Sequence, residues 1–258
     1  MCGRFAITTD PALLATQIDA INEVPAGADT GPNYNVAPTD GIVTVVSRHT
    51  EAGDQPTRRL RLMRWGLLPA WAKPGPGGAP APGGPLLINA RADKVTTSPA
   101  YRASAERRRC LVPMDGYYEW RAAAPEPGGP AGAGARSRAR KTPFYIHGEG
   151  AMLFAAGLWS IWRPDRLSAT VLSVAIITTE AVGELAEIHD RMPLLLPEDC
   201  WQSWLDPDSA IDTTLLARPP DVTGIATHEV STLVNSVRNN SPELIAPATP
   251  QPQQGYLL

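Results

Sequence analysis

From Cys110 to Thr179 the chain sets out four apolar, β-branched and aromatic runs: CLVPMDGYYEW (110–120), TPFYIH (142–147), AMLFAAGLW (151–159) and SATVLSVAIITT (168–179). Each has strand composition, and no helical pattern separates them. This half of the chain therefore cannot be a regular βαβ array. Upstream, CGRFAI, GIVTVVS (41–47) and RLRLMRWGLL (59–68) add three strands, the last alternating Leu60 and Leu62 with Arg59 and Arg61. Helices fall between and after the runs. Asp10-Pro11 supplies an N-cap and a first-position proline for a helix over 11–22. Ser98-Pro99 opens another, ending in Arg107, Arg108 and Arg109, whose charges suit a helix C-terminus. Further helices are predicted near 180–188 and from Pro197 onward. Strands in runs with interspersed helices predict an α+β fold.

Two segments cannot contribute to a core. KPGPGGAPAPGGP (73–85) and AAAPEPGGPAGAGARSRAR (122–140) are too dense in Pro, Gly and Ala, and are predicted to be loop insertions. A chain of 258 residues is long enough for one well-buried domain, predicted over 1–245, with a disordered tail over 246–258. No apolar run reaches the ~18 residues of a membrane span. The first residues lack a secretion signal, since Thr8, Thr9 and Asp10 follow Ile7 at once. A cytoplasmic protein without a membrane partner is expected.

Cys2, Cys110 and Cys200 form no CxxC pair, and His49, His147, His189 and His228 have no metal-ligand spacing. Neither a metal nor another cofactor is expected. The net charge is −3, so any nucleic-acid binding must rely on a local basic patch.

Cys2 is the unusual residue. Initiator methionine is trimmed when the next residue is small, and the product would carry an amine and a thiol on one residue. Their reference pKa values are about 7.7–8.0 and about 8.5. A cysteine at the start of a buried strand is the plainer reading. Four other stretches hold more polar content than a core requires. Alternation places Asn89 and Arg91 of LLINARADK on one face, and Tyr117 with Glu119 of DGYYEW on another, opposite Tyr118 and Trp120. His189 and Arg191 of EIHDRMP end a helix before Pro193, and Trp65 and Trp71 flank a Gly/Pro turn in RWGLLPAW. Each has a structural alternative: a strand-end hydrogen bond, a solvated face, a helix cap, or core packing.

Together these stretches resemble the SOS-response-associated peptidase (SRAP) family of abasic-site processing proteins. The resemblance is carried by MCGRF, PNYNVAPT (32–39), RWGLLPAWAK (64–73), LINARADKV (87–95), RCLVPMDGYYEW (109–120), PFYIH (143–147), AAGLW (155–159), ITTEA (177–181), EIHDRMPLLL (187–196) and VNSVRNNSPEL (234–244). It implies strongly curved, largely antiparallel β-structure in a barrel-like core with peripheral helices. It implies Cys2 as nucleophile, Asn89 as the residue holding its amine, Glu119 as acid/base and His189 as the histidine facing the DNA sugar. Arg4, Arg91 and Arg191 match phosphate-contacting positions, and Trp65 or Trp71 is expected to stack on a base or wedge beside the lesion. The two Pro/Gly-rich segments depart from the family pattern.

The implied activity belongs to the DNA damage (SOS) response: capture of abasic sites in single-stranded DNA as a covalent thiazolidine, by a monomer. The family's peptidase name reflects a proposed self-removal of Met1, for which an aminopeptidase is an adequate alternative. A lyase side reaction is the imine's other outcome. Two other readings stay open: an N-terminal-nucleophile hydrolase acting on amides, and a non-covalent single-strand DNA-binding module.

Overall fold

The computed structural model describes residues 2–79, 86–123, 141–165 and 167–248. Most of the predicted insertion at 122–140, the end of that at 73–85, and residues 249–258 of the predicted tail lie outside the described residues.

In chain order the strands are β1 (Phe5–Ile7), β2 (Ile21–Asn22), β3 (Asn33–Val36), β4 (Gly41–Arg48), β5 (Thr57–Trp65), β6 (Asn89–Arg91) and β7 (Arg109–Met114). They continue with β8 (Gly116–Ala122), β9 (Lys141–Gly148), β10 (Leu153–Trp162), β11 (Val171–Glu180), β12 (Arg191–Pro193) and β13 (Ile225–Glu229). The helices are short: α1 (Pro11–Gln17), α2 (Arg102–Arg107), α3 (Leu185–Ile188), α4 (Trp201–Leu205) and α5 (Thr213–Ala217).

Five strands form an antiparallel sheet in the order β13-β9-β8-β1-β3. The second sheet, β12-β11-β10-β7-β4-β5-β2, closes on itself because β5 also pairs with β11. Strands β5, β4, β7, β10 and β11 thus form a five-stranded barrel. The α+β, barrel-like core expected from the sequence is the observed fold. Closure removes two sheet edges that would otherwise be open to pairing with other chains.

The barrel strands alternate between two packing surfaces. On one, Val46, Met63, Trp65, Val112 and Ile176 pack with Phe5, Tyr117, Phe144 and Ile146 of the antiparallel sheet. On the other, Val45, Leu60, Leu111, Leu158 and Ile177 meet Leu14, Trp201, Trp204, Leu215 and Leu216 from the helices. The first surface also contains Cys2.

Local chemistry moves several predicted boundaries. The Asp10 side chain caps α1 by accepting from Ala12 N–H at 2.8 Å, as its sequence suggests. The helix nevertheless ends at Gln17, because Asp19 takes a left-handed φ of 50° and Ile21 is drawn into β2 beside β5. The run CLVPMDGYYEW is two strands, not one. It breaks at Asp115, whose carboxylate receives the main-chain N–H and hydroxyl of Thr8, and β8 then crosses into the other sheet. Gly116 is required there: a Cβ would lie 2.6 Å from the Ile146 carbonyl oxygen. Arg109 does not end a helix. It is buried at the start of β7, and its guanidinium donates to the carbonyls of Trp204, Ala105, Glu106, Asp206 and Ser209.

Candidate active site

The segment before β1 runs antiparallel to β8. Phe5 pairs with Tyr117, and Tyr118 N–H donates to the Arg4 carbonyl at 2.9 Å. This register brings Cys2 to the half of β8 that carries Glu119. Cys2 is fully buried, with its sulfur 3.9 Å from the Arg4 carbonyl oxygen. Asn89, the first residue of β6, reaches it from the barrel: Asn89 Nδ2 donates to the Cys2 main-chain carbonyl at 2.7 Å. Parallel pairing with β11 fixes β6, and the Tyr101 hydroxyl holds the Asn89 carbonyl at 2.9 Å. Asn89 Oδ1 is buried without a hydrogen-bond partner among the described residues.

Glu119 is also buried, at 2% exposure. Burial raises its carboxyl pKa above the ordinary value, with the charge of nearby His189 pulling the other way. Burial likewise pushes the Cys2 thiol up, and the Glu119 charge adds to that rise, so the thiol is protonated at neutral pH. His189 caps the end of α3, which packs against β8. Its Nδ1 accepts the Arg191 main-chain N–H at 3.0 Å and lies 2.7 Å from Asp190 Oδ1. Cys2, Asn89, Glu119 and His189 come from four separated stretches and meet at one place.

Among the arginines, Arg4 is braced, its Nη1 donating to Asn35 Oδ1 at 2.8 Å and to the Val234 carbonyl at 2.7 Å. Arg91 is exposed and clamped to both Asp93 oxygens, at 3.0 and 3.1 Å. Arg191 is half-buried, donating through Nη2 to the carbonyl and hydroxyl of Thr178.

The two tryptophans part company. Trp71 is exposed, at 68%. Trp65 is a correction to the sequence reading: it is fully buried against Phe5, with ring centroids 5.2 Å apart, and its Nε1 donates to the Ile88 carbonyl. It closes the barrel at the β5–β11 pairing and cannot reach a base.

Two further residues belong to the site. Tyr117 is fully buried beside Cys2, and its hydroxyl has no hydrogen-bond partner among the described residues. Burial raises its pKa well above the ordinary value, helped by the charges of Cys2 and Glu119. Its shared face with Glu119 in DGYYEW was the available signal. Tyr101 had none, because it reaches Asn89 only through the fold. Among the described residues no group of three or more His, Cys, Asp or Glu could hold a metal ion, and no helix is long and apolar enough to cross a membrane.

Residues 1–237 match the model of the SOS response associated peptidase (SRAP) family. The chain is 34% identical over 248 residues to the abasic site processing protein YoqW of Bacillus subtilis (strain 168), covering 95% of this chain and 99% of that protein. It is 30% identical over 280 residues to the abasic site processing protein HMCES of Gallus gallus, covering 96% and 78%. Among solved structures, a protein from Bacteroides thetaiotaomicron shares the fold with a TM-score of 0.74 at 20% identity, over 96% of this chain and all of that one.

Proposed function

The chain belongs to the SOS response associated peptidase family, and from that premise we propose that it captures abasic sites in single-stranded DNA as a covalent thiazolidine through Cys2. The observation that carries the proposal is the convergence on Cys2 of a half-buried amide and a buried carboxyl, Asn89 and Glu119. The family's relatives named abasic site processing proteins support the choice of lesion.

Loss of Met1, by the chain itself or by an aminopeptidase, leaves an amine and a thiol on Cys2. The ring-opened abasic sugar presents an aldehyde at C1′. The neutral amine adds to that carbon, giving a carbinolamine. Asn89 fixes the Cys2 main chain for this attack, and its open Oδ1 is an acceptor suited to the amine. Glu119, its carboxyl pKa raised by burial, donates a proton to the departing hydroxyl, and one water leaves. The Cys2 sulfur then adds to the iminium carbon. Its proton passes to the Glu119 carboxylate just formed, and a five-membered ring closes. His189 faces the sugar and protonates the ring oxygen as the lesion opens.

An amine alone would stop at a reversible imine, from which β-elimination cuts the strand. Ring closure withdraws that intermediate and shields the lesion. Arg4, Arg91 and Arg191 supply the phosphate contacts that a chain of net charge −3 needs for DNA. Trp71 is the exposed aromatic suited to stacking on a base.

The test is a labelled single-stranded oligonucleotide bearing one abasic site, mixed with untagged protein and run on a denaturing gel. A heat-stable shifted band that is absent with intact DNA and with Cys2→Ala is expected. No shifted band, with intact mass showing Met1 removed, would leave the non-covalent or hydrolytic readings.

A further inference from the structure

Beside the site runs a groove of about 530 Å³ that takes its walls from Arg91, Arg191, Arg218, Thr96, Thr179 and Glu180, among others. We propose that it is a second phosphate subsite, in which Arg218 receives a backbone phosphate of the strand carrying the lesion. This rests on the single-stranded DNA reading above and extends it to a residue that no motif singled out.

The placement follows from the sheet. Arg91 ends β6, the strand that begins with Asn89, and it pairs with Thr178 of β11. Arg191 opens β12 on the opposite side of β11 and donates to the same Thr178. Helix α5 packs on residues 92–94, and Arg218 follows its last turn directly, which brings it to the groove that the other two arginines also line. Three arginines from three elements therefore line one groove, two of them within two residues of Asn89 and His189 in sequence.

Arg218 is the least committed of the three. Arg91 is oriented by Asp93, and Arg191 by Thr178. Arg218 is exposed, makes no ion pair among the described residues, and donates from Nη1 to the Cys200 sulfur at 3.5 Å. Sulfur is a weak acceptor, so most of the guanidinium fork is open to phosphate oxygens. Asp93 and Glu180 are also in the groove, and a carboxylate-rich partner would gain little there. An evenly charged polyanion already anchored at Arg91 and Arg191 gains a third contact.

The experiment is fluorescence anisotropy of a labelled, undamaged single strand with wild type, Arg218→Gln and Arg218→Lys, from 50 to 200 mM salt. Arg218→Gln is expected to weaken binding by about three- to tenfold and to lower the slope of log K against log salt by about 0.7, the loss of one single-strand phosphate contact. Arg218→Lys keeps the charge and is expected to keep the slope. An unchanged affinity and slope in Arg218→Gln, or equal loss in the Lys variant, would overturn the subsite while leaving lesion capture standing. A wild type that neither binds nor cross-links single strands would overturn the proposed function itself.

Discussion

Asn89 Nδ2 holds the Cys2 main-chain carbonyl at 2.7 Å, and this one bond ties the N-terminal segment of the antiparallel sheet to the barrel. The nucleophile's position thus depends on strand β6, itself pinned by β11 and by the Tyr101 hydroxyl. Asn89→Ala removes the tie at a stability cost of about 1 kcal/mol, the net worth of a hydrogen bond. Adduct formation should slow far more, by about tenfold or above, because the amine loses its aim. A time course of adduct on a denaturing gel, beside thermal unfolding, separates the two effects. An unchanged rate would remove Asn89 from the chemistry.

Glu119 links activity to pH and to stability. Its carboxyl pKa is raised in the folded state by burial, so the native protein holds that proton more tightly than the unfolded chain. The resulting stabilisation is fully present below the ordinary carboxylate pKa and is lost as pH rises through the raised value. Glu119→Gln abolishes this dependence. The variant should therefore unfold at a higher temperature than wild type at neutral pH, with the gap closing in acid. It should also form adduct more slowly at unchanged affinity for DNA. Melting curves at acid and neutral pH, with an anisotropy titration, check both halves.

Cys2→Ala keeps the amine and removes the thiol. Its abasic-site product should be an imine: absent from a heated gel, captured when borohydride is added, and accompanied by more strand cleavage than wild type gives. A retained Met1, or any N-terminal tag, should eliminate both the heat-stable and the captured product. Adduct formation at the normal rate by a tagged chain would show that the Cys2 amine is not the nucleophile.

The two tryptophans of RWGLLPAW should behave oppositely. Trp65 lies in the core, and Trp65→Ala should cost about 3–5 kcal/mol in a denaturant titration. Trp71 is exposed, so Trp71→Ala should leave stability within about 0.5 kcal/mol. Its binding to single strands should weaken by about 1–3 kcal/mol, the worth of one stacked base.

The strands and fold class were legible in the sequence because strand composition is a local property. What was not legible depends on contacts between distant residues. Trp65 and Trp71 share a motif, yet only the long-range pairing of β5 with β11 buries the first. The run from Cys110 to Trp120 looks continuous, and its break at Asp115 comes from Thr8, over a hundred residues earlier. The helix predicted over 11–22 overruns α1 because Ile21 fits the helical stripe, but β5 claims it for a sheet edge. In the site, Asn89, Glu119 and His189 stood out as polar groups in apolar surroundings. Arg218 stood in no such contrast, and only the packing of α5 brings it to the groove.

Thiol alkylation of the purified, denatured adduct tests ring closure most directly. An imine and a thiazolidine have the same mass, but only the imine leaves the Cys2 sulfur free. The chain has three cysteines, all unpaired. Iodoacetamide treatment followed by peptide mass spectrometry should label Cys110 and Cys200 and leave Cys2 unlabelled. Labelling of all three in a DNA-linked chain would contradict the thiazolidine and reduce Cys2 to an amine nucleophile.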